Sequence, residues 1–138
     1  MKLRIKSDSL RYRLTRSDVD ALAREGYLED QINFVGHPLI FAVQLTDGEV
    51  LTSSYIDNKI TLCMARKMII ELTDTDKVGF SNQDAGLYLL VEKDFTCLDN
   101  VDEDQSDNYP NPSLKRRKDE PWVRIMKNNL RPKTRKNY

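Results

Sequence analysis

Residues 87–95 read Leu87-Tyr88-Leu89-Leu90-Val91-Glu92-Lys93-Asp94-Phe95, and the fold is decided by how this stretch is read. In an extended chain successive side chains alternate in direction, so Leu87, Leu89 and Val91 take one side while Tyr88 and Leu90 take the other. Both sides are apolar, which predicts a central strand covered on each face. The strand then runs into Glu92, Lys93 and Asp94, three ionisable groups at the end of an apolar element. Phe95, Cys97 and Leu98 return the chain to apolar character.

Working outward toward the N-terminus, period-2 patterns dominate. Leu3 and Ile5 alternate with Lys2, Arg4 and Lys6, and Leu10, Tyr12 and Leu14 alternate with Arg11 and Arg13. Separated by Ser7-Asp8-Ser9, the two runs predict a hairpin with a basic outer face, or one long strand broken by a bulge. Thr15 is a good helix N-cap with Asp18 three residues on. Val19, Leu22 and Ala23 have helical spacing, and Gly26 is placed to end the turn, so a helix is predicted over 16–25. Strands are predicted at Gln31–Phe34 and Leu39–Leu45, with a turn at Gly36-His37-Pro38 between them. Asp47-Gly48 reads as a tight hairpin turn, returning Val50–Ile56 antiparallel to the preceding run. Asp57-Asn58 turns again into Ile60–Met64. In Ala65–Leu72 the run Met68-Ile69-Ile70 fits a strand as well, but Ala65, Met68, Ile69 and Leu72 fit one helical face and a second helix is the reading taken. Val78–Phe80 is read as a short strand, and Ser81–Gly86 as a loop into the central strand. No internal period stands out. The fold class these elements predict is α+β, one domain of mainly antiparallel sheet with two short helices.

Charge divides the 138 residues. Residues 1–98 hold 12 Lys+Arg against 15 Asp+Glu, residues 99–107 hold five acids and no base, and residues 113–138 hold ten bases and two acids. The overall zero conceals a near-neutral body, an acidic joint and a basic tail. The domain is therefore drawn as 1–112, with 113–138 as a disordered or loosely docked extension. Within that extension Trp122, Ile125, Met126 and Leu130 fall at helical intervals. No apolar run approaches the ~20 residues that span a bilayer, so no membrane partner is expected. Two cysteines and no export signal place the chain in a reducing cytoplasm.

The candidate chemistry is sparse. Glu92 and Asp94, two apart on a strand, could suit a metal or acid–base work with Lys93 and Cys97 beside them. The reading favoured over that one is that Lys93 and nearby arginines solvate a strand end, since perturbed carboxylates also occur in structural ion pairs. Cys63 and Cys97 lie 34 positions apart and His37 is the one histidine, so close zinc-ligand pairs are missing and neither metal nor cofactor is expected. Catalytic residues are not identifiable, and buried structural thiols are the expectation. The scattered glycines make no phosphate loop. Lys115, Arg116, Arg117 and Lys118 head the basic tail, with Trp122 and Tyr138 available to stack. This suits nucleic acid or an acidic partner, but solubilising disorder, or docking onto the acidic joint, explains it equally well.

The opening KLRIKSDSLRYRLTRSDVDALAREGYLED, the LYLLVEKDFTCL run and the later DNYPNP resemble a family of small uncharacterised bacterial proteins. Its members open on a KIRIKGNSLRLRLT-like run and carry an LLVEKDFxCL-like run. The resemblance covers residues 1–112, and Ser7 stands where that pattern commonly has Gly. It implies that 1–112 is one unit including the YPNP segment, and it makes Glu92, Lys93, Asp94, Phe95 and Cys97 the first residues to test. It implies no activity. Two readings from different classes follow: a non-enzymatic cytoplasmic binding or interaction protein, or a small enzyme or metal-dependent protein using Glu92, Asp94 and Cys97.

Overall fold

A computed structural model describes residues 1–96 and 104–111. The chain forms two compact units, Met1–Lys93 and a second that opens at Asp94. The first holds eight strands and two helices: β1 (Lys2–Lys6), β2 (Ser9–Leu14), α1 (Arg16–Glu25), β3 (Tyr27–Phe34), β4 (His37–Thr46), β5 (Thr52–Ile56), β6 (Lys59–Ala65), α2 (Arg66–Asp74), β7 (Gly79–Asp84) and β8 (Leu87–Lys93). They make two four-stranded sheets, ordered β1-β2-β8-β7 (sheet A) and β3-β4-β6-β5 (sheet B). The class is α+β. Pairing is antiparallel within the four hairpins and parallel where β2 meets β8 and β4 meets β6.

Adding 50 to the numbers of the first half gives the second. Lys2–Lys6 falls on Thr52–Ile56, Arg16 on Arg66, and the turn glycine Gly36 on Gly86. Each half is hairpin, helix, hairpin, and each lends one hairpin to each sheet, so exchanging the halves turns one sheet order into the other. The repeat escapes a sequence reading because its match is one of pattern: Leu10 answers Ile60, Val19 answers Ile69, and Leu22 answers Leu72. In sheet A the Tyr88 N–H donates to the Asp8 carbonyl. In sheet B the bond to the Asn58 carbonyl comes from Ile40, two positions past Pro38, the counterpart of Tyr88. Proline has no N–H to give, and the register is shifted accordingly.

The sharpest correction concerns Asp47-Gly48. No hairpin forms there: β5 pairs with β6, and β4 lies between β3 and a parallel β6. Gly48 lacks the positive φ that a type I′ turn demands, and its N–H donates to the Thr46 hydroxyl instead. The real two-residue turns are Ser7-Asp8, Val35-Gly36, Asp57-Asn58 and Ala85-Gly86. Ser7 has φ 48°, the left-handed region that glycine enters freely. The predicted loop 81–86 is mostly strand, since β7 runs to Asp84.

Helix α1 matches its expected bounds. The Thr15 hydroxyl accepts from the Asp18 N–H, the Asp18 carboxylate accepts from the Thr15 N–H, and Gly26 closes the helix at φ 76°. Helix α2 begins after Ala65, which has no side-chain oxygen to cap it. The core collects Leu10, Tyr12, Leu14, Leu89 and Val91 from sheet A, Val43, Leu45, Leu62 and Met64 from sheet B, and Val19, Leu22, Ile69 and Leu72 from the helices. The Tyr12 hydroxyl makes a long 3.4 Å hydrogen bond to the Ile60 carbonyl of the other sheet. Burial, and secondarily the nearby Cys63, pushes the Tyr12 phenol well above its ordinary value.

In the second unit, residues 94–96 and 109–111 are bound to each other. The Tyr109 N–H donates to the Asp94 carbonyl (2.8 Å), the Thr96 N–H to the Tyr109 carbonyl (2.7 Å), and the Phe95 and Tyr109 rings meet edge-on.

Candidate functional site: the outer face of sheet A

Strand β8 is central, but it is not covered on both sides. Leu89 and Val91 are fully buried, whereas Tyr88 is 40% exposed and Leu90 half-buried on the opposite face. That face is ordered in three rows across the strands, read from β1 to β7. The first is Lys2, Arg13, Glu92, Gly79; the second Arg4, Arg11, Leu90, Ser81; the third Lys6, Ser9, Tyr88, Gln83. Rows lie ~6.6 Å apart and neighbouring strands ~4.8 Å. Five cations and one carboxylate therefore share one patch, a net of +4, on a body whose overall charge is slightly negative.

Like charges directly opposite on neighbouring strands destabilise a sheet, and here Lys2 faces Arg13 and Arg4 faces Arg11. One carboxylate offsets part of this. Glu92 accepts from the Arg11 Nε at 2.5 Å and the Arg13 Nε at 3.2 Å, its side chain 16% exposed and theirs about one-third. Gly79 makes room for it. A Cβ on residue 79 would lie 2.3 Å from the Val91 carbonyl oxygen and 2.8 Å from the Glu92 Cβ. Arg4 and Lys6, both exposed, hold no ion pair among the described residues. Between them and β8 lies a shallow hollow of about 260 Å³, lined by Arg4, Lys6, Ser9, Leu10, Arg11, Tyr88 and Leu90.

The matching face of sheet B is built otherwise. Its rows are Thr52, Cys63, Gln44, Tyr27; Ser54, Thr61, Ala42, Glu29; and Ile56, Lys59, Ile40, Gln31. One cation and one anion stand where sheet A has five and one. The same half-fold recurs there without the charges.

The residues singled out from the sequence separate. Glu92 lies on the outer face. Lys93 is buried on the core side, its Nζ donating to the Thr75 carbonyl at 3.0 Å. Asp94 is buried at the start of the second unit. Cys97 and Lys115, Arg116, Arg117 and Lys118 lie outside the described residues, as does Trp122–Leu130. Cys63 is a free thiol. Among the described residues no cluster of three His, Cys, Asp or Glu could hold a metal ion. No described helix is long and apolar enough to cross a membrane. The basic outer face was legible in the alternation of residues 2–13. Tyr88 and Leu90 as its floor were not, because nothing local announces that β8 lies parallel to β2.

Fold and site together define a two-sheet α+β protein, internally repeated, with a cationic face on one sheet. A family model covers residues 1–113, and the chain belongs to that family, a family of unknown function (DUF7009). No curated protein and no solved structure matches it.

Proposed function

We propose that this is a non-enzymatic binding domain that holds a phosphate-bearing polyanion on the outer face of sheet A. The observation that carries the reading is the contrast between the two sheets. One half-fold concentrates Lys2, Arg4, Lys6, Arg11 and Arg13 on its outer face, while its internal counterpart does without them. Opposed cations cost stability, and a scaffold that does not need them retains them for a ligand. Glu92, fixed between two guanidiniums, is placed to orient arginines, which favours binding over acid–base chemistry at this strand end. The basic tail at Lys115–Lys118 would add a second, less specific contact to the same class of ligand. A cytoplasmic setting, with reduced thiols, belongs to the same proposal.

The test is titration of the full chain with inorganic polyphosphate at about 50 and 200 mM salt, the range over which phosphate contacts lose most affinity. Binding should fall steeply with salt, and the double variant Arg4→Ala/Lys6→Ala should weaken it and flatten the salt dependence. Binding indifferent to these two residues would refute the proposal.

A further inference from the structure

We infer that the hollow beside Tyr88 seats a nucleobase, so that the polyanion of the preceding proposal, on which this inference rests, is a single-stranded nucleic acid. A ligand made only of phosphate or sulfate groups has no use for an apolar surface, yet the cations here rim one. Tyr88 offers 40% of its surface to solvent, and Leu90 lies next to it on β8. Arg4 and Lys6 stand on the β1 side and Arg11 on β2, all lining the same hollow. An aromatic surface flanked by cations is the arrangement by which single strands are held, bases stacking on rings while the groove follows the backbone. Arginine adds a planar cation that stacks as well as pairs.

The hollow's size agrees. About 260 Å³ lies below the range of pockets that enclose a drug-sized molecule, and fits one ring system with its phosphates left on the rim. Tyr88 is held in place, since its N–H donates to the Asp8 carbonyl and β8 is paired on both edges. Single-strandedness follows from geometry: in a duplex both faces of every base are stacked and the tyrosine has nothing to meet. In sheet B the counterpart of Tyr88 is Pro38, and Ser54, Ile56 and Thr61 replace Arg4, Lys6 and Arg11. The second half therefore lacks both parts of the site.

The experiment is fluorescence anisotropy with the full chain and a labelled oligothymidylate of about 12 nucleotides, within the usual range of single-strand sites. An abasic oligomer of equal length carries the same phosphates, and a duplex of equal length carries the same bases stacked away. The single strand should bind about tenfold more tightly than either, as expected for one stacked base. Tyr88→Ala should abolish the advantage over the abasic oligomer, and Tyr88→Phe should keep it. Tyr88 is on the surface, and far-UV circular dichroism is the check that each variant is folded. Equal binding of single-stranded and abasic oligomers overturns the base site while leaving polyanion binding intact. So does a duplex bound as tightly as the single strand, or an advantage that survives Tyr88→Ala and so arises elsewhere, as from stacking on Trp122 or Tyr138. Binding of no polyanion at low salt overturns both proposals.

Discussion

Replacing Glu92 by glutamine keeps the side chain's shape and one acceptor oxygen while removing the only carboxylate of the cationic face. Two charge-assisted hydrogen bonds are at stake, at 2.5 Å to Arg11 and 3.2 Å to Arg13. Fully buried, bonds of this kind contribute about 1.5–3 kcal/mol each. The guanidiniums are one-third exposed, so solvent screening brings each nearer ~1 kcal/mol, and the glutamine oxygen recovers part of that. A net loss of about 1–1.5 kcal/mol is expected. For a unit of this size that lowers Tm by roughly 4–10 °C. The loss should shrink as salt is raised, because added ions screen the repulsion among Lys2, Arg4, Arg11 and Arg13. Polyanion binding should move the other way. With Arg11 and Arg13 released, one or two further phosphates can be neutralised, steepening the salt dependence by ~0.7 per phosphate for a single strand. Urea denaturation and polyanion titration of the same preparation supply both readouts. A variant as stable as the parent at low salt, or one that binds polyanion more weakly, would refute the view that Glu92 restrains the arginines.

Three further outcomes are expected. Leu89→Ala removes a fully buried side chain from the middle of sheet A and should cost about 2–5 kcal/mol in chemical denaturation; a loss below ~0.5 kcal/mol would show that β8 is not central. Gly79→Ala drives a methyl group into the Val91 carbonyl and the Glu92 side chain, so it should lower Tm well beyond the small change an exposed strand substitution brings. Tyr12 gives a pH dependence: its phenol stays protonated in the fold well above pH 10, while an unfolded tyrosine ionises near 10, so the native state binds more protons there. Stability should therefore hold below pH 10 and fall above it by up to ~1.4 kcal/mol per pH unit, and Tyr12→Phe should remove that part of the slope.

What the sequence disclosed was what local chemistry decides. Helix α1 could be bounded to the residue because Thr15, Asp18 and Gly26 act within one turn of their own backbone. The outward cations of β1 and β2 could be read from alternation alone. The dipeptide Asp47-Gly48 misled because a turn's preference says nothing about which strand lies alongside. Here β4 finds β6, and a proline at position 38 helps choose the register. The parallel meeting of β2 with β8 follows only from burying both hairpins' apolar faces at once. For that reason the sequence put arginines near the Glu92 strand end but could not say that they are Arg11 and Arg13, brought there by the parallel β2.

The exchange of hairpins between the halves also sets an order of assembly during synthesis. Sheet B pairs Ile40 with Lys59, partners 19 positions apart, so it can close soon after β6 emerges from the ribosome. Sheet A pairs Ser9 with Tyr88, 79 positions apart, which at ~5–20 residues per second means a wait of about 4–16 s before β2 meets its partner. Through that interval the nascent β1–β2 hairpin carries its five cations without the carboxylate of Glu92 or the ring of Tyr88. The last strand to arrive brings the counter-charge and the floor of the hollow together.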